Sequence, residues 1–173
     1  MSCAITGGYT IDCLDNVGGN KNVYIIAFND VESLTESSGL VTAITKKTGK
    51  RFYKIEIPQG VAEGTDGGAP NQENGSIYFT HSVSFPINRR NATIRNYVLA
   101  LAKGKVMIVM EELNGEYKLY GSEFGMYSVE SNGTSGIKPE DRNGYNLKFE
   151  GLSFNPVLQV DQSTFDDLET PGT

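Results

Sequence analysis

"KVMIVMEELNGEYKLYGSEFGMY", residues 105–127, runs from an apolar stretch into two adjacent glutamates, Glu111 and Glu112, and then into Asn114-Gly115. Asn-Gly between strand-like runs is a strong hairpin signal, because both central residues of a type I′ turn need positive φ. A two-residue turn sets Leu113 against Glu116, Glu112 against Tyr117, Glu111 against Lys118, Met110 against Leu119 and Val109 against Tyr120. Side chains alternate along a strand, so Glu111 and Glu112 point to opposite faces and cannot share a substrate or a metal ion. Lys118 is then the expected cross-strand cation for Glu111. Ile108 and Met110 join Tyr117 and Leu119 on one face, while Met107 and Val109 join Tyr120 on the other. A hairpin apolar on both faces needs cover on both, with the core on one side and a helix or a neighbouring subunit on the other.

The rest of the chain has the same character. Gly is 20 of 173 residues, and short β-branched and aromatic runs recur between Gly, Asn and Asp clusters, the pattern of a mainly β domain. Strands are expected at 22–28 ("NVYIIAF"), 40–45 ("LVTAIT") and 51–57 ("RFYKIEI"). The clearest alternation is "SIYFTHSVSFPI": Ile77, Phe79, His81, Val83, Phe85 and Ile87 share one face, and Tyr78, Thr80, Ser82, Ser84 and Pro86 the other. That second face carries hydroxyls and no charge, suited to water, a partner or a channel, and Pro86 marks an edge or a bulge. His81, in apolar company, reads as a hydrogen-bonded core residue.

Between these strands, residues 58–75 ("PQGVAEGTDGGAPNQENG") read as a long polar hairpin loop, either a floppy surface loop or an arm that orders on meeting a neighbouring subunit. One helix is expected at about 90–103, where Ile94, Tyr97, Val98 and Leu101 form an apolar stripe. Asn88 or Asn91 can cap it, Lys103 suits its last turn and Gly104 its left-handed end. Arg89 and Arg90 oppose the helix dipole, so acidic partners are expected for them. Past the hairpin come a short strand ("FGMYSV", 124–129), a loop from Glu130, and a strand from Tyr145 in which Leu147 and Phe149 alternate with polar residues. Leu152 and Phe154 break that parity, which places a bulge at Gly151. The chain is expected to be one domain, with an N-terminal arm over 1–21 and a flexible C-terminal tail over 160–173.

The ordered set over 105–156, with "NGEYKLYG", "FGM" and "NGYNLKFEGLSFNP", resembles the C-terminal half of the major tail (tail tube) proteins of tailed bacteriophages. The resemblance implies a β-sandwich or barrel with one flanking helix, assembled in hexameric rings that stack into a tube in the virion after synthesis in the bacterial host cytoplasm. It implies that the 58–75 loop contacts the next ring through Gly60, Val61, Glu63, Thr65, Asp66, Asn71, Gln72 and Glu73. The hydroxyl face of Tyr78, Thr80, Ser82 and Ser84 becomes a lumen or interface wall, and Asn114 and Gly115 the hairpin turn. Partners would be copies of this chain and other phage tail proteins, with DNA passing through without specific binding, no membrane and no cofactor.

The net charge of −6 argues against a protein that binds by neutralising phosphates, and suits a lumen that does not retain DNA. No apolar run nears the roughly 20 residues of a membrane span and no secretory pattern opens the chain, so it reads as soluble. Enzymatic chemistry is not expected. No convergent titratable set, phosphate loop, dinucleotide fingerprint or nucleophile elbow is present, and "EDRNG" lacks the acidic spacing of a calcium loop. Cys3 and Cys13 with one histidine make no zinc site without carboxylates, and whether they pair is open. The sequons at Asn74, Asn91 and Asn132 read as chance. The alternatives are another phage neck, ring or head-decoration protein, or a carbohydrate-binding adhesin, which the absence of Trp weakens.

Overall fold

A computed structural model describes residues 5, 7–10 and 16–173. Cys3, Cys13 and much of the expected N-terminal arm lie outside the described residues. The elements in chain order are β1 (Asn20–Ala27), a 3-10 turn (Phe28–Asp30), β2 (Val31–Ser37), β3 (Leu40–Lys46), β4 (Tyr53–Glu56), β5 (Glu63–Asn71), β6 (Ser76–Asn88), α1 (Ala92–Lys103), β7 (Lys105–Glu112), β8 (Tyr117–Tyr120), β9 (Met126–Thr134), β10 (Gly144–Ser153), β11 (Leu158–Val160) and α2 (Gln162–Asp166). The protein is mainly β, as the alternation pattern implies. Its strands form one 11-stranded sheet in the order β2-β3-β11-β8-β7-β9-β10-β6-β5, with β1 on the other edge of β7 and β4 beyond it. The path ends at β2 and β5 without closing.

The sheet curls around two cores, and the β1–β7 pair lies between them. Val23, Ile25, Ile108 and Met110 face a first core shared with Val83 and Phe85 of β6, Leu147 and Phe149 of β10, and Val98 and Leu101 of α1. Tyr24, Ile26, Met107 and Val109 face a second, shared with Val41 and Ile44 of β3, Phe52, Leu119 and Leu168. The doubly apolar hairpin is thus covered on both faces by this chain itself, and its pattern gives no argument for a neighbouring subunit.

Its register differs from the expected one by a residue. Ile108 pairs with Tyr120, Val109 with Leu119, Met110 with Lys118 and Glu111 with Tyr117. Glu112 N donates to Glu116 O (2.9 Å) and Gly115 N to Glu112 O (3.2 Å), so the connection is the three residues Leu113, Asn114 and Gly115. Gly115, at φ +86°, takes the left-handed place that ends such a loop. A one-residue slip reverses faces. Tyr120 therefore packs with Ile108 and Met110, and Leu119 with Met107 and Val109. Glu111 loses Lys118 and finds its partners on β1 instead: Lys21 Nζ at 3.0 Å and Asn22 Nδ2 at 2.6 Å. Lys118 pairs with Glu116.

Further expectations change. The supposed 58–75 loop contains β5, paired residue for residue with β6 from Glu63↔Ser84 to Asn71↔Ser76, so only residues 72–75 form the tip. Gly64 fits there because a Cβ would collide with the Tyr120 hydroxyl. β9 runs to Thr134, past the expected start of the loop, because the first half of β10 supplies partners as far as Gly144↔Thr134. β10 pairs with β6 without interruption through Gly151↔His81 to Ser153↔Phe79, and the bulge lies on β9, opposite the Lys148–Phe149 step. Gly151 instead permits a close approach: a Cβ there would collide with the Gly125 carbonyl oxygen.

The C-terminal residues are docked rather than free. Asp161 caps α2, accepting from Ser163 N (3.2 Å), Phe165 stacks on Tyr117 at 3.7 Å, and Leu168 is buried. The buried Lys46 Nζ donates to Asp167 O (2.5 Å) and contacts its carboxylate (3.1 Å). Gly49 N and Gly172 O close the end at 2.8 Å. At α1, Asn91 Oδ1 accepts from Ile94 N (2.8 Å) as the cap, and Val98 and Leu101 are buried as the stripe implies. Gly104 is extended (φ −91°), not left-handed. Arg89 and Arg90 appear in none of the ion pairs among the described residues; Arg90 lies over the Tyr145 ring at 5.7 Å. Pro86 sits where β6 has β10 alone, since β5 stops opposite Ser84.

Candidate assembly surface

The expected interface residues fall on one hairpin and its neighbour. Gly60 and Val61 precede β5, Glu63, Thr65, Asp66 and Asn71 lie along it, and Gln72 and Glu73 form the tip. β5 is an edge strand, so one side of its backbone has no strand partner among the described residues. Pro70 lies on that edge strand, which tolerates a missing N–H. The tip is ordered from within: Asn71 Oδ1 accepts from Glu73 N (3.0 Å) and Asn74 N (3.1 Å). Asp66 is engaged inside the chain, accepting from Val157 N at 3.1 Å.

On β6 the face of Tyr78, Thr80, Ser82 and Ser84 points away from the first core, whose members Val83 and Phe85 have the opposite parity. The pairing sets Thr65 and Glu150 beside Ser82, and Glu63 and Lys148 beside Ser84. Lys148 Nζ and the Glu150 carboxylate meet at 2.8 Å. The polar half of this face is therefore charged by its neighbours, although β6 itself is not. Hydrogen bonding to Glu150 raises the Lys148 pKa and holds the amine protonated.

The other half of the face is apolar, and sequence reasoning missed it. Tyr78 adjoins Phe124, Tyr127, Leu152 and Phe154 around a recess of about 620 Å3. Leu152 is 56% exposed and Phe154 65%. Phe124 and Phe154 meet edge to face at 5.2 Å. The signal was the parity of Leu152 and Phe154: apolar residues on the outward side of a strand mark a contact surface, whereas here they read as a bulge.

His81 is wholly buried. Its Nδ1 accepts from Gly121 N (3.3 Å), so Nε2 carries the proton and donates to Asn155 O (3.1 Å). Burial pushes its pKa below the usual value. Both nitrogens are occupied, as expected of a core histidine. Asn114 and Gly115 sit in the turn, and Asn114 lines an open groove with Gly60, Val61, Glu63 and Glu112. Among the described residues no group of three or more His, Cys, Asp and Glu is placed to hold a metal ion, and no helix is long and apolar enough to cross a membrane. Asp141, in the stretch compared with a calcium loop, accepts from Ile137 N (2.8 Å) and Lys138 N (2.9 Å), bonds that hold its carboxyl below the usual range. Comparison with protein-family models, curated proteins and solved structures finds no match to this chain.

Proposed function

We propose that this chain is a structural subunit that assembles with copies of itself into stacked, hexameric rings forming the tail tube of a tailed bacteriophage. Phage DNA passes along the lumen without specific binding, and the acidic balance of the chain disfavours its adsorption. The observation that carries the reading is the β5–β6 hairpin. Its outer strand, Glu63–Asn71, has one backbone edge without a strand partner among the described residues, and its polar tip projects past the last β10 pair at Ser153↔Phe79. An open edge is a liability in a monomer and becomes an interface in a closed ring. Support also comes from the resemblance of 105–156 to tail tube proteins, and from a β6 face poor in cations. In this reading the protein is made in the host cytoplasm and resides in the virion.

Electron microscopy of the purified protein tests it: rings of roughly six subunits, alone or stacked, are expected from closed symmetry. A particle that stays monomeric at high concentration contradicts it. A neck or head-decoration role rests on the same kind of fold and is separated by stacking, since such a protein forms isolated rings or coats a head.

A further inference from the structure

The β9–β10 hairpin carries an apolar recess at one end and an apolar knob at the other. The recess walls are held firmly. Phe124 and Phe154 brace each other, and the Glu123 carboxylate accepts from Phe154 N (2.7 Å) and Asn155 Nδ2 (2.7 Å), fixing the strand end that carries Phe154. The knob is Ile137, in the connection between Thr134 and Gly144, and it is 98% exposed. It is clamped rather than free to fold back, because Asp141 accepts from the backbone N–H groups of Ile137 and Lys138, and Gly136 takes φ +72° beside it. An ordered loop that holds a branched aliphatic side chain in water loses the benefit of burying it.

The two features cannot meet within one molecule. The ten residues of β10 separate them, about 30 Å at strand rise. We propose that Ile137 of one copy seats in the Tyr78, Phe124, Tyr127, Leu152 and Phe154 recess of a second copy. Charge favours the same occupant. Lys138, next to the knob, and Glu123, at the recess, appear in none of the ion pairs among the described residues, so docking brings an unpaired cation to an unpaired carboxylate. A sugar is a poorer occupant, because the lining is mostly apolar. Knob and recess are different surfaces, so the contact is head to tail and repeats until it closes a ring or extends a filament. The inference rests on the reading that the chain assembles with itself, and adds which side chains meet.

The test mixes two variants, Ile137→Cys and Leu152→Cys, each in a Cys3→Ser, Cys13→Ser background, under mild oxidation. A disulfide-linked dimer is expected in the mixture and not in either variant alone. Thr80→Cys takes the place of Leu152→Cys if the latter impairs folding. In parallel, Ile137→Asp in the otherwise native chain should keep its unfolding transition and weaken self-association by about 10- to 100-fold, the effect of exposing one aliphatic side chain. If the native protein assembles, the mixture stays uncrosslinked and Ile137→Asp assembles normally, the docking is overturned and the self-assembly reading stands. If the native protein does not assemble at all, both fall.

Discussion

Alanine replacement of Ile108 and Val109, one at a time, tests whether this chain covers both faces of β7 unaided. Both side chains are 0% exposed, and they point to different cores. Ile108→Ala removes three carbons, about 2.4 kcal/mol at ~0.8 kcal/mol per methylene. The residual cavity brings the loss to about 3–4 kcal/mol. Val109→Ala removes two carbons, and the same reasoning gives about 2–3 kcal/mol. The measurement is urea unfolding followed by far-UV circular dichroism, at a concentration where sedimentation shows monomers and with unchanged urea dependence. Comparable losses in the monomer are expected for the two variants. If Val109→Ala stays within about 0.5 kcal/mol of the native chain while blocking assembly, the second face is covered by another copy and the packing argument fails.

His81 makes stability depend on pH. Its native pKa is depressed by burial, with Asp66 and Glu123 pulling the other way, so the unfolded chain takes up a proton first as pH falls below about 6.5. Stability should drop between pH 6.5 and 5.5 by at most about 1 kcal/mol, and His81→Gln should flatten that slope; a rise toward pH 5.5 contradicts the buried neutral imidazole. Leu168→Ala should cost about 2–4 kcal/mol, since the C-terminal residues close the second core, and a cost near zero in thermal or urea unfolding would restore the flexible tail. Replacing 70–77 by Asn-Gly preserves the Ala69↔Tyr78 pair and the Asp66–Val157 bond. That variant should unfold within about 0.5 kcal/mol of the native chain and fail to polymerise, and normal tubes would remove the hairpin tip from the assembly surface.

The long-period signals in the sequence were faithful to the fold. Alternation along 77–87 placed His81, Val83 and Phe85 inward, and the stripe of Ile94, Tyr97, Val98 and Leu101 placed α1 on the first core. Misreadings arose where tertiary pairing overrode local preference. Gly67, Gly68 and Pro70 disfavour a strand, yet β6 offers β5 a full set of backbone partners. Asn114-Gly115 announced a turn correctly, but Asn-Gly also serves the three-residue loop with a left-handed last residue, and only the β1 and β8 neighbours decide between registers. The C-terminal helix is five residues long, too short to show a period, although Asp161 before Phe165 and Leu168 is a cap signal. Of the candidate assembly surface, the hydroxyl face of β6 was legible. The Leu152 and Phe154 patch was not, because its five residues come from β6, the β8–β9 connection, β9 and the end of β10.

Negative-stain electron microscopy of the purified native chain over a range of concentrations is the decisive test of self-assembly. Closed rings of roughly six subunits that stack into tubes are the predicted result. Uniform monomers at the highest attainable concentration would rule self-assembly out.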